Sequence, residues 1–300
     1  MIRIWCLKPF DFKQWWTHAE ASGLWARMTS IATLLFSLIV PVHAQSVSQD
    51  APAPATGRIV EVYDGDTMTL ESGDRIRLRW VNTPELRPKE DYGIEAREAA
   101  RALVLGKEAT LIFGQVKRDS YGRLIAGVEV GETDLSTHLL ELGLAHLFII
   151  PPDDTDHAKR RDAQTRARAA GRGIWSTDRY EGVLHITSFH ANANGDDREN
   201  VNGEYLRVCN VSDRPVDLDG FRITEQAGRS WILPPLLVPP GHTFKIHSGM
   251  GENQGDAASQ LAVFLGSESP IWNNTRDRAT LYDRHGKVID SRLHAPATKN

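Results

Sequence analysis

From Gly182 onward the chain carries no good helical period. Short β-type runs take its place: VLHITSF, EYLRVCNVS, FRIT, SWILP, HTFKIHS, AVFLG, ATLYD and KVIDSRL. Clusters rich in Gly, Asn, Asp and Pro separate them, such as ANANGDDRENVNG and VPPGH. Short strands with regular turn signals read as a β-sandwich. The segment NANGDDREN lacks the spacing and closing Glu of an EF-hand and reads as a loop.

Ahead of this region, with a boundary at about 178–182, the pattern is mixed. GRIVEVYD and DTMTLESG flank the turn Asp64-Gly65-Asp66. DRIRLRWV alternates Ile76, Leu78 and Trp80 with Arg75, Arg77 and Arg79, which puts three arginines on one face of a strand. A polar loop over 82–92 follows, with Pro84 and Pro88. Strong helix formers fill 93–105 and Gly106 stops them. ATLIF and the segment after Tyr121-Gly122-Arg123 read as strands. A second helix covers 133–144, with Thr133 or Asp134 able to cap it. A third runs from about Thr155 to Ala170; its arginines read as a solvated face, with alanines packed inward. The order β-β-β-α-β-β-α-α suggests a small, partly open β-barrel with helices packed on it.

The chain has 300 residues, enough for two such domains. A formal net charge of -4 excludes a protein held on nucleic acid by bulk charge alone, so any such binding depends on local placement of Arg. There are 2 cysteines, Cys6 and Cys209. The run Ile31–Val40, preceded by Arg27 and followed by Val42-His43-Ala44, reads as a secretory signal cleaved after Ala44. It is short for a membrane span, so no stable span is expected after cleavage. The mature form would keep Cys209 alone, most simply as a small buried apolar residue. The expected organisation is a signal region over 1–44, a Pro/Ala linker over 45–56, a barrel domain over 57–178 and a sandwich over 182–295.

The residues at the ends of the first domain's strands carry chemistry. A phosphodiesterase needs a hard cation on oxygen ligands, guanidinium groups to grip phosphoryl oxygens, and a carboxylate to orient or deprotonate water. Asp66 and the 82–83 segment offer oxygens, Arg77 and Arg123 offer guanidinium groups, and Glu85 follows a proline turn. His138, His146 and His157 show no triad or ligand spacing.

The blocks YDGDT, RLRWVNTPE, YGR and GIW, in this order, resemble the staphylococcal nuclease family. The resemblance spans 57–178 and implies an OB-like five-stranded barrel with three helices, an α+β fold, and calcium-dependent hydrolysis of DNA and RNA phosphodiesters. Magnesium is the alternative ion. It further implies Asp66, Asn82 and the Thr83 carbonyl as metal ligands, with Asp64 acting through water. Arg77 and Arg123 would bind phosphate, Glu85 would be the general base or water-orienting residue, and Tyr121 would contact substrate. Three departures stand out. Asn82 replaces the family's usual Asp. Ser120 replaces a frequent Lys. The tyrosines after the second helix have become LFIIPP, which removes their stacking; Arg79, Lys117 and Arg118 are candidates to supply charge instead.

The later blocks GVLHITSFHAN, EYLRVCNVSDRPVDLDGF and ATLYDRHGKVIDS resemble the lamin-tail domain, an immunoglobulin-like all-β sandwich that implies binding or tethering and no catalysis. The expectation is therefore a secreted, periplasmic or envelope nuclease with an envelope or extracellular partner for its second domain. Two readings stay open beside it: an impaired nuclease fold that binds nucleic acid or protein, and an envelope scaffold dominated by the sandwich.

Overall fold

The computed structural model describes residues 52–256 and 259–295. The expected signal, Cys6 and linker residues 45–51 lie outside the described residues.

The first half opens with strands β1 (Thr56–Val62), β2 (Thr67–Leu70), β3 (Arg75–Leu78) and β4 (Trp80–Asn82). Helix α1 (Gly93–Val104), strands β5 (Glu108–Arg118), β6 (Leu124–Val130) and β7 (Thr133–Asp134), helix α2 (Leu135–Leu142), β8 (His146–Phe148) and helix α3 (Ala158–Ala169) complete it. The sheet runs β3-β2-β1-β5-β6-β7, and β3 also pairs with β6. The barrel is thus closed, not partly open as the sequence suggests. The closing pair is parallel, with Ile76 opposite Leu124 and Leu78 opposite Ala126. All four are buried, so closure removes an apolar edge from water.

The alternation in DRIRLRWV predicts one strand, but the chain breaks it between Leu78 and Trp80. Trp80 takes φ 71, a left-handed backbone that a bulky side chain rarely adopts. Its indole Nε1 donates to Asp153 Oδ2 at 3.0 Å, and its ring lies against Gly127, where any side chain would collide with it. The kink turns β4 off the barrel to pair with β8. It also separates the three arginines. Arg75 is exposed, Arg77 faces the polar loop, and Arg79, half-buried, forms an ion pair with Asp153 at 3.1 Å.

Helix α1 buries Ala96, Ala100 and Val104 at four-residue spacing. Helix α2 is capped by Asp134, which accepts from Ser136 N, and ends at Gly143 with φ 71. Helix α3 buries Ala163 and Ala167 as expected. Not all its arginines are solvated, however. Arg168 donates to Val211 O at 2.6 Å and Arg160 lies 3.8 Å over the Trp80 ring.

The second half contains β9 (Leu184–His190), β10 (Tyr205–Asn210), β11 (Val216–Asp217), β12 (Arg222–Thr224), β13 (Ser230–Ile232) and β14 (Leu237–Val238). It continues with β15 (Thr243–His247), β16 (Leu261–Phe264), β17 (Asp277–Tyr282) and β18 (Val288–His294). Two four-stranded sheets, β16-β15-β10-β9 and β13-β12-β17-β18, form, with a small β11-β14 pair beside them. Val208, Ile223, Phe244 and Leu281 join both sheets in one core.

The halves are stitched through the chain after β8. Ile149 N donates to Gly241 O at 2.8 Å and Thr243 N donates to Ile149 O at 2.9 Å. Cys209 is fully buried, as expected, and its thiol reaches Leu147 O at 3.2 Å. His146, His185 and Tyr180 pack together there, with ring centroids 4.4–5.8 Å apart. Burial, then the neighbouring His185, pushes His146 down to about 3, so it stays neutral.

Candidate active site

The turn from β1 into β2 is the first wall. Asp64 Oδ1 accepts from Asp66 N at 3.1 Å, which folds the turn on itself. Asp66 Oδ2 accepts from Thr83 N at 2.9 Å and lies 3.3 Å from Arg77 Nη2. The two sequence blocks are therefore joined directly. Gly65 permits this contact: a Cβ there would lie 2.7 Å from Thr83 Cγ2 and 2.9 Å from Ala96 Cβ. Gly65→Ala is expected to destabilise the protein by about 1–3 kcal/mol through overpacking and to loosen the Asp66–Thr83 bond. Thermal melting of the variant checks this; an unchanged melting temperature contradicts it.

Arg77 is fixed at both ends of its guanidinium. Nη1 donates to Leu78 O at 2.6 Å and Val81 O at 2.9 Å, and Nη2 donates to Asn82 Oδ1 at 2.9 Å. The Phe148 ring lies 5.7 Å from its carbon centre. The loss of rings from LFIIPP is thus partial, since Phe148 braces Arg77 by a cation–π contact. Of the other candidates to supply the missing charge, two are committed elsewhere. Arg79 is committed to Asp153, and Arg118 is buried against Asp74 at 2.9 Å. Lys117 is exposed.

Glu85 sits on the loop after Pro84. Its backbone N–H donates to Glu90 Oε2 at 3.0 Å, and Glu90 N donates back to Glu85 O at 2.9 Å. Glu90 is in turn gripped by Arg179 at 2.9 Å and by Arg292 of β18 at 3.6 Å. Sequence reasoning passes over Glu90, whose only signal is its place five residues after Glu85. Burial, then Asp66, Asp64 and Glu90, pushes the Glu85 carboxyl up to about 7. Burial and Asp66 push Asp64 up to about 6. Three carboxyl groups crowd here with one guanidinium among them.

Asp64, Asp66, Arg77, Asn82, Thr83 and Glu85 thus meet at one place. Arg123 and Tyr121 stand apart on the turn before β6. Arg123 Nε pairs with Asp119 Oδ2 at 2.7 Å, and its guanidinium lies 5.6 Å from the ring of Tyr121, which is 75% exposed. Neither forms a hydrogen bond or ion pair with the cluster. A groove of about 470 Å³ lined by Glu132, Asp134, His138 and Lys159 contains none of these side chains.

The donor chemistry suits a hard divalent cation, because every group on offer is an oxygen and negative charge is in excess. Among the described residues, no group of three or more His, Cys, Asp or Glu is placed to hold a metal by itself. A cation here would take Asp66 with neutral oxygens such as the Thr83 carbonyl. Asn82 Oδ1 is turned to Arg77, so it would join only by leaving that bond.

Comparison with known proteins agrees with this geometry. The staphylococcal nuclease homologue family matches residues 75–177, and the lamin tail domain family matches 177–294. The thermonuclease of Staphylococcus hyicus is 24% identical over 166 residues, covering 50% of this chain and 98% of that protein. An uncharacterized endonuclease of Escherichia coli is 33% identical over 122 residues, covering 40% of this chain and 76% of that protein. Endonuclease YncB of Bacillus subtilis is 31% identical over 126 residues, covering 39% of this chain and 60% of that protein. With its barrel, its carboxylate cluster and these matches together, the chain belongs to the staphylococcal nuclease family and joins that nuclease domain to a lamin tail domain.

Proposed function

We propose that the protein is an exported, calcium-dependent endonuclease that hydrolyses phosphodiester bonds of DNA or RNA. The observation that carries this reading is the convergence of the two strand ends: Asp66 Oδ2 accepts from Thr83 N at 2.9 Å and lies 3.3 Å from Arg77 Nη2, with Asp64 and the half-buried Glu85, pushed up to about 7 chiefly by burial, beside them. A general base works best when its proton affinity lies near the working pH. When bound, a divalent cation supplies Lewis-acid polarisation of a phosphoryl oxygen. Asp66 and the Thr83 carbonyl would hold it, with Asp64 acting through water. Glu85 orients the attacking water and takes its proton. Arg77, fixed through Nη1 by Leu78 O and Val81 O, would meet the phosphate with Nη2 on leaving Asn82 and Asp66. Arg123 would serve as a second phosphate ligand on leaving Asp119, with Tyr121 against the nucleotide.

The test is digestion of single-stranded DNA, double-stranded DNA and RNA by residues 45–300, with calcium, with magnesium and with chelator. Cleavage that stops with chelator supports the reading; binding without any cleavage sinks it. That second outcome belongs to the rival reading, a nuclease fold that binds without cutting, which draws on Arg77 holding the Asn82 oxygen. Asn82→Asp adds a negative charge to the site, and calcium affinity is expected to rise by about tenfold. Unchanged affinity by calorimetry would remove position 82 from the ligand set. Export rests on the apolar run before Ala44, and envelope or extracellular tethering would be the lamin tail's role.

A further inference from the structure

The sheet β16-β15-β10-β9 has one face in the sandwich core and one face outside. On the outer face Tyr205 pairs with His190 and with His247, and His247 pairs with Phe264. These four are half-buried, while Leu206, Val208, Ile246 and Val263 on the inner face are fully buried. Arg207 and Lys245, opposite each other, share the outer face. Lys245 Nζ lies 4.2 Å from the Tyr205 ring. Arg207 Nη1 donates to Gln260 Oε1 at 2.8 Å and Thr243 Oγ1 at 3.2 Å. Among the described residues neither cation pairs with a carboxylate. Two cations side by side give this face a local positive charge, while burial and Lys245 hold His190 and His247 neutral beside them.

A hydrogen-bonded path joins this face to the nuclease half. Thr243 Oγ1 donates to Ile149 O at 3.1 Å, and Ile149 follows Phe148, the ring under Arg77. Arg207 is therefore one hydrogen-bonded residue away from the cleft wall.

We propose that the outer face of this lamin-tail sheet binds the phosphodiester backbone of the substrate strand beyond the scissile bond, with Lys245 and Arg207 contacting phosphate. The proposal rests on the nuclease reading. It concerns phosphate and not bases. His190 stacks on Tyr205 at 4.3 Å and His247 on Phe264 at 5.0 Å, so the rings spend their faces on one another. Backbone contact alone gives affinity and register without sequence preference.

The test uses the full chain with Lys245→Glu and Lys245→Ala. Binding of a labelled single strand of about 20 nucleotides is followed by anisotropy in chelator, where metal-dependent cleavage is silent. Steady-state cleavage of that strand and of a dinucleotide is then measured with calcium. Lys245→Glu is expected to weaken long-strand binding by about tenfold and Lys245→Ala by about threefold, with the salt slope falling by about 0.7. Dinucleotide cleavage is expected to stay at the wild-type rate. Unchanged long-strand binding in both variants overturns the proposal, and so does an equal loss on both substrates. A labelled polyglutamate peptide that binds more tightly than the long strand, and is lost in Lys245→Glu, would assign the face to an acidic protein instead. Failure of the wild-type chain both to bind and to cut would sink the nuclease reading itself, a different result from all of these.

Discussion

Glu85→Gln is expected to lower kcat by about a thousandfold while leaving strand binding within about twofold. The amide keeps the shape and the backbone bond to Glu90, but it takes no proton from water. A rate loss with parallel loss of binding would mean that Glu85 acts on the ground state instead. Stability should move the opposite way. In metal-free protein the Glu85 carboxyl titrates at about 7 against an ordinary value of 4.5. Between those values the folded chain holds more protons than the unfolded chain, so stability falls as pH rises through the window. Asp64, raised to about 6, has the same sign. Glu85→Gln removes its share of that fall. The variant should therefore melt above wild type at pH 8 by more than at pH 5, with chelator present. An equal difference at both pH values contradicts the assigned shift.

Glu90→Gln is expected to reduce kcat by between about tenfold and a hundredfold with little change in KM, because small misplacement of a reacting group is costly. Glu90 is the hub of the loop. It accepts from Glu85 N at 3.0 Å and is held by Arg179 and Arg292. Neutralising it leaves two arginines without their carboxylate and one amide oxygen where Glu85 N and the arginines had two carboxylate oxygens to share. Arg292→Ala should show a smaller loss of the same kind, and Arg292→Lys should recover part of it. A kcat unaffected by Glu90→Gln would show that Pro84 and Thr83 alone hold the base in place.

Most of this site is written locally. DGDT, NTPE and the strand carrying Arg77 each fall at a strand end, and turn residues at strand ends are what sequence patterns report best. Six of the eight candidate residues meet in one cluster. What escaped depends on distant partners. Glu90 looks like loop solvation until Arg292 is brought to it from 202 positions away in the chain. Arg79 looks equivalent to Arg77 until Trp80 adopts φ 71 and turns it toward Asp153. Barrel closure likewise rests on a parallel pairing between segments nearly fifty residues apart. The short strands β11 and β14 escaped for another reason: two residues each are too few to show a period.

The stitch between Ile149 and the turn at Gly241 has an evolutionary consequence. Gly241 has φ +74, and a Cβ there would fall 2.9 Å from Leu147 Cβ, so the approach of the two surfaces is written into both. The break near residue 180 is an inviting place for recombination. A sandwich without that glycine, the Cys209 thiol facing Leu147 or the Arg292 that reaches Glu90 would lose the matching contact with the nuclease half. The two domains are inherited most safely as a pair, and their lineages should record few exchanges of one without the other.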